Sequence, residues 1–186
     1  MVMGLIKGGI NEVIATTAVN AAPMGIHFRN GKASMILFCG SHTAVNIERD
    51  LWLVANLVHD PVLYVKTAFE DLPRDAFVEE PVEGKTMLRL AAADAWAAFF
   101  VSIENKTTEA MKVSLTLKKE IIRNVAVQPV NRGFNSIIDA TVHATRFART
   151  HDPELRKIID YHLGIVRKCG GKPEMAALDL LLSHIQ

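Results

Sequence analysis

The chain has 186 residues, 49% of them hydrophobic and 22% charged, with a formal net charge of +1, a balance that suits one core-forming domain with at most a small appendage. Interspersed charge with no basic stripe argues against nucleic-acid binding, and no apolar run reaches the roughly 18 residues needed to span a bilayer. Cys39 and Cys169 lie far apart without a partner motif, which points to a reduced, cytoplasmic protein.

In chain order, "NEVIATTAV" and "PMGIHFRNGKASMILFCG" carry the β-branched and large apolar residues of strands. Asn30-Gly31 between two such runs predicts a tight hairpin. "SHTAVNIERD" has the polar-then-apolar order of a short helix start, and Leu51 to Val58 is an apolar run that predicts a strand buried on both faces. Asp60-Pro61 opens a short helix over "VLYVKTAFE", with Asp as cap and Pro in the first turn. Residues 70 to 86 are rich in acid, Pro and Gly and are expected to form a surface connection. "WAAFFVSIENKT" and "AMKVSLTLKKEIIRNVAV" return to strand character, and Met111, Val113, Leu115 and Leu117 alternate as in a half-buried antiparallel strand.

After Pro129 the period becomes helical. "NSIIDATVHATRFAR", a segment punctuated by Asp152-Pro153 and Gly170-Gly171, and "PEMAALDLLLSHI" predict three amphipathic helices. The fold expected is α+β: an antiparallel β-barrel domain over 1–128, then a small helical domain over 129–186. His143, His151, His162 and His184 lack ligand spacing, so no metal site is expected.

Two stretches carry candidate chemistry. In "FCGSHTAVNI" a strand ends at Gly40, and the Ser41 and Thr43 hydroxyls stand where a helix begins. Unpaired amides and a partial positive charge there suit a phosphate, although a simple helix cap needs the same residues. In "VIATTAVNAAPMGIHF" small residues occupy the place where two strands meet. They leave room for a flat ligand against the backbone, or they fit a crowded barrel corner.

Together these stretches reach a resemblance. Thr-Thr, a short gap, Ala-Pro-Met-Gly, a hairpin and then Gly-Ser-x-Thr-x-x-Asn-Ile resemble the start of the FMN-binding split-barrel proteins of unknown function found largely in archaea. Those proteins belong to the wider superfamily of pyridoxamine-phosphate oxidases and flavin reductases. The likeness continues through "DPVLYVKTAF", "ADAWAAFFVSIEN", "NRGFNSIIDATVHATR" and "CGGKPEMAALDLLL", and so covers nearly the whole chain.

The resemblance implies a homodimer of split barrels with FMN in grooves between subunits. Thr16, Thr17 and Met24 would lie beside the isoalloxazine ring, and Ser41, Thr43 and nearby backbone would hold the phosphate. Asn20 and Asn46 would join the same set, and Asn131 and Arg132, opening the first appended helix, would reach the cofactor or its phosphate. The chain departs from the family in the shortened turn "AVNA" between its first two strands. Among Arg49, Lys66 and Arg132, Arg132 is the expected cationic partner of the phosphate. The implied function is that of a flavoprotein oxidoreductase working by hydride transfer through flavin N5, with substrate and catalytic residues unknown. A non-catalytic FMN carrier, sensor or scaffold is the alternative.

Overall fold

The computed structural model describes residues 4–125 and 127–185. The chain runs β1 (Gly9–Thr16), β2 (Ala21–Arg29), β3 (Lys32–Phe38), α1 (His42–Asp50), β4 (Trp52–Leu57), α2 (Pro61–Phe69), β5 (Phe77–Val82) and β6 (Lys85–Leu90). It continues with β7 (Ala95–Lys106), β8 (Ala110–Ile122), α3 (Arg132–Thr150), α4 (Pro153–Cys169) and α5 (Lys172–His184). Six strands close an antiparallel barrel in the order β1-β2-β3-β8-β7-β4, and β5 and β6 form a separate two-stranded sheet. This is the α+β architecture expected from the sequence.

Alternation along the strands decides which side chains fill the barrel. Val13 and Ala15 of β1, Leu53 and Ala55 of β4, and Ala97 and Phe99 of β7 belong to one buried cluster. Strand β8 alternates as expected, with Met111, Val113, Leu115 and Leu117 buried and Lys112 and Thr116 exposed. Asn30 and Gly31 both take positive φ between the paired Arg29 and Lys32, giving the tight hairpin that Asn-Gly announces.

The outward residues of the β1–β4–β7 wall are also buried: Ile14, Thr16, Val54, Asn56, Trp96 and Ala98. Their cover is the β5–β6 hairpin, tied to the wall by hydrogen bonds from Thr16 to Leu88 and from Leu90 to Asn56. Residues 70 to 86, expected as a surface connection, therefore carry a 3-10 turn (Arg74–Ala76), β5 and the start of β6. Their polar composition has a physical cause: one face of the ribbon lies on the barrel, while Glu79 and Pro81 on β5 face solvent.

The chain divides into two compact units. The barrel unit comprises the chain up to Val58 together with the segment from Leu72 through β8. The second comprises His59–Asp71 and the residues from Val127 onward. Thus α2, which lies within the span 1–128, packs with the C-terminal helices. Its Val65 joins Ile137, Ala144, Ile159, Leu163 and Leu181 in one buried cluster, giving four helices where the C-terminal sequence alone offers three. Four helices bury a core that three short amphipathic ones would leave partly open. Among the described residues no helix is long and apolar enough to cross a membrane.

Candidate functional site

Strand β1 ends at Thr16, and residues Thr17 to Asn20 turn the chain into β2. The turn is closed by the Thr17 N–H donating to the Asn20 carbonyl at 3.0 Å, and Ala18 takes a left-handed φ of 50°. That backbone region is unfavourable for branched residues, which explains the small side chain at Ala18. The next pairs, Thr16↔Ala21 and Ala15↔Ala22, bring small residues together across the strands.

Helix α1 begins beyond Gly40, which has φ 86°. The Ser41 hydroxyl accepts from the Ala44 N–H at 3.2 Å and donates to the Phe38 carbonyl at 2.9 Å, so Ser41 is a true N-cap. The first turn holds no acidic residue. Cap and helix ladder use the amides of Ala44 and Val45, and the amides of His42 and Thr43 have no acceptor among the described residues. The positive end of α1 is therefore neither neutralised nor fully hydrogen-bonded.

Turn and helix meet through two side-chain bonds. Asn20 Nδ2 donates to Thr43 Oγ1 at 3.1 Å, and Asn46 Nδ2 donates to the Thr17 carbonyl at 2.9 Å. The same Asn46 amide lies 3.4 Å from Thr17 Oγ1. Thr17 and Thr43 are buried, while Asn20 and Asn46 are half-buried. Thr43 Oγ1 accepts from Asn20 and keeps a proton to donate. The orientation of Asn46 is fixed from behind, since its Oδ1 accepts from Arg49 at 3.3 Å. Arg49 is itself paired with both carboxylate oxygens of Asp50, at 2.8 and 2.6 Å. These bonds hold the Asp50 carboxyl below the usual carboxylate range.

Of the residues singled out in the sequence, Thr17, Asn20, Thr43 and Asn46 thus form one cluster, with the Ser41 cap at its helical edge. Thr16 adjoins it in the chain, but its hydroxyl points away from the barrel interior, donating to the Leu88 carbonyl at 2.5 Å. Met24 is half-buried, paired with Val13 and packed against the barrel core. Asn131 and Arg132 belong to the helical unit. There Asn131 caps α3, its Oδ1 accepting from the Gly133 and Phe134 amides at 2.8 and 3.4 Å, and Arg132 is exposed. Lys66 is also in that unit, on α2.

One polar residue beside the site escaped the sequence reading. Asn56 is completely buried and donates to Ile14 O, Thr16 Oγ1 and Val54 O at 2.8, 3.1 and 3.2 Å. Its Oδ1 accepts from the Leu90 N–H at 2.8 Å. The signal in the sequence was a lone amide inside the apolar run "LWLVANLV". Among the described residues no group of three or more His, Cys, Asp or Glu side chains is placed to hold a metal ion.

Comparison with known proteins matches residues 11–124 to the N-terminal domain, and residues 131–183 to the remainder, of a family described as protein of unknown function DUF447. An FMN-bound protein of that family from Methanosarcina mazei has a crystal structure similar to this one, with 35% sequence identity, 96% of each chain covered and a TM-score of 0.89. An uncharacterized protein of Methanocaldococcus jannaschii is 22% identical over 95% of this chain and 98% of its own length. An FMN-binding protein from Thermus thermophilus shares the barrel fold at 8% identity, covering 64% of this chain and 73% of that one with a TM-score of 0.51.

Proposed function

The chain belongs to the DUF447 family, and from that membership we propose that it is an FMN-binding flavoprotein whose cofactor is held at the junction of the β1–β2 turn and α1. The observation that carries this reading is the cluster of Thr17, Asn20, Thr43 and Asn46, which ties a turn of small residues to an uncompensated helix N-terminus. The Methanosarcina relative, FMN-bound and alike over nearly the whole length, supports the identity of the ligand.

The residues present fit the group. A phosphate dianion needs hydrogen-bond donors and positive potential, and the Thr43 hydroxyl with the His42 and Thr43 amides supplies both. A flat ring needs space against the backbone, which Ala18, Ala21 and Ala22 leave. Thr16, Thr17, Asn20 and Met24 form the ring side of the site in this reading, and Ser41, Thr43 and Asn46 the phosphate side. Arg49 is committed to Asp50 and Asn46, and Arg132, the cationic partner that the resemblance implies, follows Asn131 at the start of α3.

When bound, FMN supplies reversible hydride and electron transfer. The four clustered side chains are hydroxyls and amides, so they hold and orient rather than exchange protons at neutral pH. We therefore assign an oxidoreductase in which the cofactor carries the chemistry. A neutral donor set of this kind also suits a carrier that never turns its flavin over.

Homodimerisation and a cytoplasmic location complete the proposal. Ile36 and Phe38 expose more than half of their surface side by side on the outer face of β3, an apolar patch of the kind a second copy covers.

The test is a visible absorption spectrum of the freshly purified protein, with mass analysis of what heat releases. A flavin spectrum with the mass of FMN is expected. Reduction of that flavin by NADH, NADPH or a deazaflavin, followed by substrate-dependent reoxidation, separates oxidoreductase from carrier. A colourless protein that also leaves added FMN unbound overturns the proposal.

A further inference from the structure

The ladder joining β1 to β4 is short. It pairs Ile14 with Asn56, Ala15 with Ala55 and Thr16 with Val54, and there it ends. Beyond it lies Thr17, whose carbonyl is the acceptor for Asn46 in the site described above. Three pairs at a strand terminus are open to fraying. On its β2 side the strand end is held by the Thr16↔Ala21 pair and the Thr17 N–H bond to the Asn20 carbonyl, and on its β4 side by a polar node in the outer wall. Asn56 donates to Ile14 O and Thr16 Oγ1, and Thr16 passes its only proton on to the Leu88 carbonyl. Through its Oδ1, Asn56 also accepts the Leu90 N–H. One amide thus fastens β1, β4 and β6 at a single point.

A node of this kind is not what stability alone selects. Val54, its neighbour on the same outer face, is equally buried and apolar. An amide in that setting stabilises nothing unless every donor and acceptor is met, and here its contacts are met. What the amide adds over an apolar residue is direction. It dictates where Thr16 Oγ1 stands, and with it the course of the backbone into Thr17.

We propose that Asn56 is a positioning residue of the FMN site, acting through Thr16 to set the strand end from which Thr17 meets Asn46. The inference rests on the FMN reading above. It changes the expected part played by Thr16, whose hydroxyl serves the site through Leu88 and Asn56 while its backbone stays on the ring side.

The test measures FMN affinity by quenching of flavin fluorescence on flavin-stripped full-length protein, with thermal unfolding in parallel. The variants are Asn56→Asp, Thr16→Val and Thr16→Ser, each taken as a ratio to the wild type at the same pH. At pH 8 Asn56→Asp places a carboxylate against three oxygen atoms, and its dissociation constant for FMN is expected to rise by about tenfold or more. At pH 5.5 a buried carboxyl with a raised pKa takes up a proton and regains a donor, so the ratio should fall back toward one. Thr16→Val should weaken binding in the same sense, and Thr16→Ser, which restores the hydroxyl, should recover most of the affinity that Thr16→Val loses.

Variants that melt earlier yet bind FMN as tightly as the wild type while folded overturn the positioning role and leave the FMN reading intact. Should Asn56→Asp fail to fold, the Thr16→Val and Thr16→Ser pair decides by itself. A wild type that binds no FMN overturns the underlying reading, and this inference with it.

Discussion

Thr43 is the residue on which the proposed site turns most directly. It is buried at the start of α1, accepts from Asn20 and retains a hydroxyl proton aimed at no described acceptor. Ser41 beside it is exposed and already engaged at both ends of its hydroxyl. The two therefore separate by experiment. Thr43→Val keeps the shape and removes donor and acceptor, so FMN affinity should drop by about tenfold while the melting temperature moves little. Ser41→Ala removes the cap, which costs about 1 kcal/mol of stability, and its effect on FMN should be the smaller of the two. The double variant Ser41→Ala with Thr43→Ala should release the flavin during purification. Retention of FMN by the double variant would remove the phosphate from this end of α1.

At the scale of elements, the same contrast between local and distant causes decides what could be read in advance. Asn30-Gly31 announced its hairpin because the turn type itself requires that dipeptide. Strand β4 was legible from its apolar run, interrupted only by Asn56, and β8 from alternation, since burial on two faces or one leaves a recognisable trace. The β5–β6 hairpin left a weaker trace. Glu83-Gly84, both at positive φ between the paired Val82 and Lys85, form its tight turn, but Glu-Gly is a poorer signal than Asn-Gly and Pro81 argued against a strand. The hydrogen bonds that dock the hairpin link residues far apart in the chain, and no local pattern encodes them.

Helices α3 and α4 carry a second consequence of long-range placement. His143 and His162, unremarkable in the sequence, face each other with ring centroids 6.2 Å apart, and the Nδ1 atom of each is buried without a hydrogen-bond partner among the described residues. Burial holds His143 below the ordinary histidine range, Arg146 and His162 add to that effect, and Asp139 opposes it. Asp139 also lies 3.9 Å from His162 Nδ1, and Tyr161 packs edge-on against the His162 ring. A histidine depressed in the folded state binds fewer protons there than in the unfolded chain. Its stabilising contribution is therefore present above the unfolded pKa of about 6.5 and is lost as pH falls through the lower folded value. Melting temperatures measured between pH 8 and pH 5 should decline across that window. In His143→Gln the decline should be shallower, and an identical pH profile in the variant would refute the assignment.

For the molecule as a whole, the order of motifs along the chain carried more than any one of them. The Thr16-Thr17 strand end and the Ser41–Asn46 helix start are each ambiguous, and the structure joins Thr17, Asn20, Thr43 and Asn46 while leaving Ser41 as a cap. Asn56 stayed unread because an amide inside an apolar run gives no hint of which strands it will bind. The recruitment of α2 to the helical unit was likewise invisible, since a short capped helix does not announce its partners.

The proposed dimer is a claim at this scale. Ile36→Lys together with Phe38→Lys puts charge into the exposed patch on β3 and should convert the dimer to a monomer in light scattering. A wild type that is monomeric at micromolar concentration, or a dimer that ignores both substitutions, would contradict that assignment.

The central claim is that the junction of the β1–β2 turn and α1 holds FMN, with the helix end and Thr43 taking the phosphate. It is tested most directly by titrating the flavin-stripped protein with FMN and with riboflavin, which differ only in that phosphate. The account predicts that FMN binds at least about tenfold more tightly than riboflavin, and that Ser41→Ala with Thr43→Ala narrows the difference. Equal affinity for the two flavins, or binding of neither, would contradict it.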